Sequence, residues 1–267
     1  MKTMRNLTIL FLSLLTVIKL SGQDDLQFKF DSIIQEANTL YNYEKAAWNA
    51  SDLLKEGLKA GVEIGGYVAY HKNDTVIVVY SDINQVMSIA KFRFLNSNLT
   101  EPFEMNFDAE VLNDAEYEFF SMKQKILNSI IYGEYEISIP EGYNPNFILI
   151  KGQDEYSFYI IMGATKAGVI PFGNDYLFTT DNDGNIMENR KFHTNIIPTF
   201  SKYEDLGTVT SAMHSHIKST PYITATDICT FRLYAHFTDL VEFKVYSTAL
   251  GITMKYDLEK NKIELVE

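Results

Sequence analysis

The sequence contains a single cysteine, Cys229, in 267 residues. One thiol excludes an intrachain disulfide and any cysteine-based metal cluster. A metal site in this chain must therefore draw on histidine, aspartate and glutamate. Basic residues are also short, 23 Lys and Arg against 35 Asp and Glu, for a net charge of −12. A chain this acidic lacks the basic surface that nucleic acid or an anionic membrane requires, so no nucleic-acid partner is expected. No apolar run reaches the ~20 residues of a membrane-spanning helix, and no integral membrane span is expected. Internal repeats and low-complexity segments are absent as well.

The amino-terminal stretch has the pattern of an address. Lys2 and Arg5 precede a twelve-residue apolar run, Leu7 to Ile18, and small residues follow at Ser21 and Gly22. This reads as a signal peptide over residues 1–22, which predicts a secreted or periplasmic protein. Its removal takes Lys2, Arg5 and Lys19 with it, leaving 245 residues with a net charge of −15.

Periodicity divides the remainder into helices and strands. Phe30, Ile33, Ile34, Ala37, Leu40 and Tyr41 recur at helical spacing within 26–59, and Ser51 with Asp52 is a second candidate helix start. At Gly65-Gly66 the pattern turns to strands over 67–70 and 75–80, with Lys72-Asn73-Asp74 as a hairpin turn, and then 86–95. Asn113, followed three residues later by Glu116, predicts a helix over 114–132. Strands are expected over 147–151, 156–163, 169–172, 176–181, 186–192 and 208–213. A helix over 225–237 and strands over 241–247 and 252–258 close the chain. The order predicts an α+β fold, with antiparallel or mixed sheets, an N-terminal helical segment and a C-terminal strand-loop-helix-hairpin unit. Gly, Pro and Asn between 133 and 146 suggest a division into regions 23–135 and 136–267, the second carrying the candidate site.

That site is His214-Ser215-His216, followed by Thr224 and Asp227. Residues two apart on a strand face the same way, and the Asp would fall in the first turn of the next helix. Three metal-competent side chains can then meet. A plainer reading exists: Thr224 is a good N-cap, Asp227 suits the helix dipole, and the histidines are loop residues. His193, at the end of the strand 186–192, is a candidate fourth ligand. A closed set of four ligands would make the metal structural.

The spacing His-Ser-His, seven residues, Thr, two residues, Asp resembles the JAMM motif of the JAB/MPN metallopeptidases, which has Ser where this chain has Thr224. The resemblance covers 14 residues. It implies a zinc ion on His214, His216 and Asp227, a catalytic hydroxyl at Thr224, and a peptide or related amide as substrate. It also implies an upstream glutamate as general base, for which Glu155 is the first candidate and Glu188 the second. A protein or peptide partner would follow. The alternative is a non-catalytic secreted or envelope protein in which the His-Ser-His segment is structural.

Other features carry less chemistry. Asp181 to Asn185 is read as a turn rather than a calcium loop, because its Gly and its missing final Glu do not fit. Gly173-Asn174-Asp175 is a turn whose Asp could line a site. Cys229 is expected as a small buried apolar residue.

Overall fold

A computed structural model describes residues 2–203 and 207–266, with side chains from Asp25 onward except Tyr203. The segment read as a signal peptide lies outside the described side chains. Among the described residues no helix is long and apolar enough to cross a membrane.

The first helix, α1, runs unbroken over Lys2–Gly57. Ser51-Asp52 does not start a new helix, because the buried face formed by Leu40, Ala47, Ala50 and Leu54 continues through it in register. Five strands follow: β1 (Gly66–Lys72), β2 (Thr75–Ser81), β3 (Met87–Leu95), β4 (Glu104–Asn106) and β5 (Glu110–Val111). They form one antiparallel sheet in the order β1-β2-β3-β4, with β5 also on β3. The expected hairpin turn joins β1 to β2, with Asn73 at φ 55.

Helix α2 (Asp114–Tyr132) starts with the expected capping box. The Asn113 side chain accepts from the Glu116 backbone, and the Glu116 side chain accepts from the Asn113 backbone. Strands β6 (Tyr143–Lys151), β7 (Glu155–Ala164), β8 (Val169–Gly173), β9 (Tyr176–Asp181) and β10 (Ile186–Lys191) come next. The second sheet has the order β10-β9-β7-β6, while β8 pairs antiparallel with β11 (Ile196–Phe200). A short pair, β12 (Lys202–Tyr203) and β13 (Gly207–Thr208), precedes the closing unit. That unit is β14 (Ser211–His216), helix α3 (Ala225–Tyr234), a 3-10 turn (Ala235–Phe237), β15 (Glu242–Ser247), β16 (Ile252–Asp257) and β17 (Lys262–Val266). Its sheet runs β14-β15-β16-β17, and only β14–β15 is parallel within it. Two parallel neighbours need a crossover, and α3 supplies it. The fold is α+β with mixed and antiparallel sheets.

Two strands are buried on both faces and divide the interior. Along β2, Val76, Val78 and Tyr80 face one apolar cluster, while Ile77 and Val79 face the other. Along β7, Tyr159 and Ile161 join the first cluster, and Phe158, Ile160 and Met162 the second. A period of two sends alternate side chains to opposite sides, so these strands form a middle layer. Helices α1 and α3 and the closing sheet lie against the first cluster, and α2 packs against the second. The first cluster takes residues from both sides of the 135/136 division, from Phe30 and Phe92 to Phe231 and Tyr256. Where β1 approaches β6, the Lys123 ammonium of α2 donates to the carbonyls of Tyr67 (2.9 Å) and Phe147 (2.8 Å). These bonds satisfy backbone groups that no ladder reaches.

Candidate metal centre

Strand β14 brings the first two ligands into place. Its inward side carries Ala212, His214 and His216, while Ser211, Met213 and Ser215 are exposed. The strand end is tied down where the His216 carbonyl accepts from the Thr248 backbone (3.1 Å) and hydroxyl (2.8 Å). After the loop, Thr224 caps α3 with a full capping box and Asp227 is its third helical residue. The Thr224 hydroxyl donates to Asp227 Oδ2 at 2.7 Å and accepts from the Asp227 backbone at 3.1 Å. The expected helix cap and the expected ligand are therefore one structure, because the cap is what aims the carboxylate.

His193 arrives from the segment after β10. Its approach depends on Gly173, which adopts φ +79 at the end of β8. A Cβ there would stand 2.5 Å from the Asn195 carbonyl and 3.1 Å from the His193 Cβ. Only glycine permits both the backbone angle and the contact. The four candidate metal ligands, His193, His214, His216 and Asp227, then offer ligand atoms that all lie within 4.8 Å of one another. His193 is 6% exposed, His216 2% and Asp227 1%. Phe172 and Phe243 stack at 4.6 Å beside His214 and form an apolar wall.

The hydrogen bonds behind the rings fix what the rings present. His216 Nδ1 lies 2.6 Å from the Tyr222 carbonyl, which can only accept, so the proton is on Nδ1 and the Nε2 lone pair faces the cluster. His193 Nδ1 likewise lies 2.6 Å from Asp175 Oδ1 and turns its Nε2 inward. Yet His193 Nε2 and His214 Nε2 lie 2.8 Å and 3.0 Å from the same His216 Nε2. One lone pair cannot accept from two donors, and two lone pairs repel each other. Asp227 adds a second sign of incompleteness. Its Oδ1 is buried without a hydrogen-bond partner among the described residues, although it stands 3.4 Å from both His193 Nε2 and His214 Nε2.

A cation at the centre resolves both conflicts. Ligands 2.0–2.2 Å from a tetrahedral ion stand about 3.3–3.5 Å apart. The separations of His193 and His214 from Asp227 Oδ1, both 3.4 Å, meet that spacing, while His216 Nε2 lies 3.3 Å from the other oxygen, Oδ2. The two short His–His separations would open by roughly half an ångström. Asp175 stands where a carboxylate behind a ligating imidazole would stand, and Thr226 of α3 donates to its other oxygen. Without an ion, a proton takes its place. Burial pulls the His193 pKa down, but the Asp227 and Asp175 carboxylates outweigh it and raise the value to about 9. Asp227 is held well below the usual carboxylate range, because the histidine charges exceed the opposing effect of burial.

The remaining candidates stand elsewhere. Glu155 is at the exposed start of β7, opposite Asp181, and is not among the residues that converge. Glu188 is exposed on β10. Thr224 does reach the site, through Asp227. Cys229 is fully buried, as expected, and burial raises its thiol pKa. The Asp181 carboxylate accepts from the backbone of Asp183 and Asn185, which is turn chemistry. Asp175, read from the sequence as a turn residue that could line a site, stands behind His193. Comparison with known proteins finds no matching family model, no matching curated protein and no matching solved structure.

Proposed function

We propose that His193, His214, His216 and Asp227 bind one zinc ion, and that the ion is a structural clasp in an exported protein. The observation that carries this reading is the pair of unmet demands at the centre, the contested His216 Nε2 and the orphaned Asp227 Oδ1. Three imidazoles and one carboxylate suit zinc, and four protein ligands fill a tetrahedron with no position left for a reacting water. The clasp joins the segment after β10 to the β14–α3 turn. Export rests on the amino-terminal pattern of Lys2, Arg5 and the apolar run to Ile18. The test is metal analysis of the protein purified without added metal, beside His216→Ala and Asp227→Ala. One zinc per chain, absent from both variants, is expected. A metal-free protein whose Tm is unmoved by zinc or by EDTA overturns the reading.

A second reading, a JAMM-like zinc hydrolase of peptide or amide bonds, is favoured by one observation. The motif residues sit on a strand and at a helix start, a strand parallel to the first follows, and the Thr224 hydroxyl lies against Asp227. In that reading the ion supplies Lewis acidity, His214, His216 and Asp227 hold it, and Thr224 orients Asp227. His193 would have to yield its place, and the general base would have to come from a residue outside the cluster. Zinc-dependent cleavage of a fluorogenic isopeptide, abolished by Asp227→Ala and kept by His193→Ala, would favour the hydrolase over the clasp.

A further inference from the structure

A second feature lies apart from the four ligands, in a cleft of about 470 Å³ between α1, the two larger sheets and α3. Glu44 of α1 lines it and is only 7% exposed. Its Oε1 accepts from the Tyr67 hydroxyl at 3.3 Å, the one hydrogen bond made by this carboxylate among the described residues. No cation among them stands at ion-pair distance. Lys123, whose charge acts on Glu44, spends its ammonium on the Tyr67 and Phe147 carbonyls and on one face of the Tyr67 ring, 4.3 Å from its centroid. Burying a carboxylate without a partner costs several kcal/mol, and burial pushes the pKa of Glu44 up to about 7. The other charged groups at the cleft, Asp52 and Lys55, neutralise each other at 3.0 Å.

The cleft thus holds one buried carboxyl group with no ion-pair partner among the described residues, and Trp48, Tyr67, Tyr80 and Tyr234 are among the side chains that line it. Ring faces attract cations, and several rings around a carboxylate reinforce that preference. Space is kept open at Gly163, where a Cβ would come within 3.1 Å of Asn146 Nδ2 and 3.6 Å of the Tyr234 hydroxyl. We propose that this cleft binds a small organic amine as its ammonium, with the charged nitrogen against Glu44 and the carbon body between the rings. The site goes beyond the zinc reading and does not depend on it.

The chain provides its own reporter, because Trp48 is the only tryptophan. The full-length mature protein is titrated with 1,5-diaminopentane and, separately, with glucose and maltose, and followed by Trp48 fluorescence and calorimetry. Saturable one-site binding of the diamine is expected, with no response to either sugar. Glu44→Gln and Gly163→Val, each checked for native circular dichroism, should weaken it at least tenfold. Gly163→Val tests the space without touching the carboxylate, so either folded variant suffices. No saturable diamine binding, equal affinity in a folded variant, or binding of a sugar in place of the amine overturns the proposal.

Discussion

Asp175 holds His193 from behind, accepting from Nδ1 at 2.6 Å while Thr226 donates to its other oxygen. Asp175→Asn keeps the shape but offers a donor or a weaker acceptor to Nδ1. Zinc affinity should fall about 10–100-fold with the fold retained, as read by competition with a chelator; unchanged affinity would remove the orienting role. Thr224→Ala should cost about 0.5–2 kcal/mol in urea unfolding through the lost cap, whereas Thr224→Ser should recover most of it. At this scale the ligands were legible because each obeys a local rule. His214 and His216 alternate on a strand, Asp227 follows a cap by three, and His193 stands two residues beyond the strand that ends at Lys191. Asp175 was legible only as an Asp that could line a site, because Gly-Asn-Asp is ordinary turn composition and does not reveal its partners. Its role exists only through contacts with His193 and with Thr226, 51 residues away.

Among the elements, α2 was readable to its first residue, since Asn113 and Glu116 announce the capping box that the structure contains. Asn113→Ala should destabilise the protein by about 1 kcal/mol, measured as a lower urea midpoint with an unchanged m-value. The parallel pairing of β14 with β15 was not readable. Alternation marks each strand, but the direction of its partner follows from where α3 packs. The breadth of α1 also escaped, because a cap-like Ser-Asp pair is outvoted when the apolar face continues past it. Helix α1 carries a pH dependence through Glu44. Its ordinary value of 4.5 rises to about 7 in the fold, through burial and against the pull of Lys123 and Tyr67. The folded state therefore keeps a proton that the unfolded chain has lost, and stability declines as pH rises between those values. Lys123, lowered to about 8 chiefly by burial, acts in the other window: stability rises with pH from about 8 toward 10.5. Glu44→Gln should flatten the decline between pH 5 and 7 in a Tm series. A slope identical to that of the parent protein would show that Glu44 does not titrate as the fold implies.

For the whole molecule, the proposed zinc, bound only by the native state, would add about 4 kcal/mol at a thousandfold excess over Kd. For a chain of this length that corresponds to roughly 10 °C in Tm. Chelation should lower Tm by that order and expose the segment between β10 and β11 and the turn between β14 and α3 to proteolysis first; a digestion pattern indifferent to EDTA would contradict it. The α+β class was legible from the succession of periods, but the layering was not. Strands β2 and β7 read simply as apolar, and only packing shows that they serve two cores at once.

The near-complete enclosure of the four ligands has a consequence in time. The proposed ion, seated among residues as covered as His193, His216 and Asp227, would offer a competitor little face at which to begin exchange. It would leave when the turn bearing His193 or the cap of α3 comes apart, so its residence time should follow local unfolding rather than solution affinity. Loading then belongs to the moment of folding. The identity of the metal would be decided by which ions are on hand in the compartment where the chain first closes, and kept thereafter.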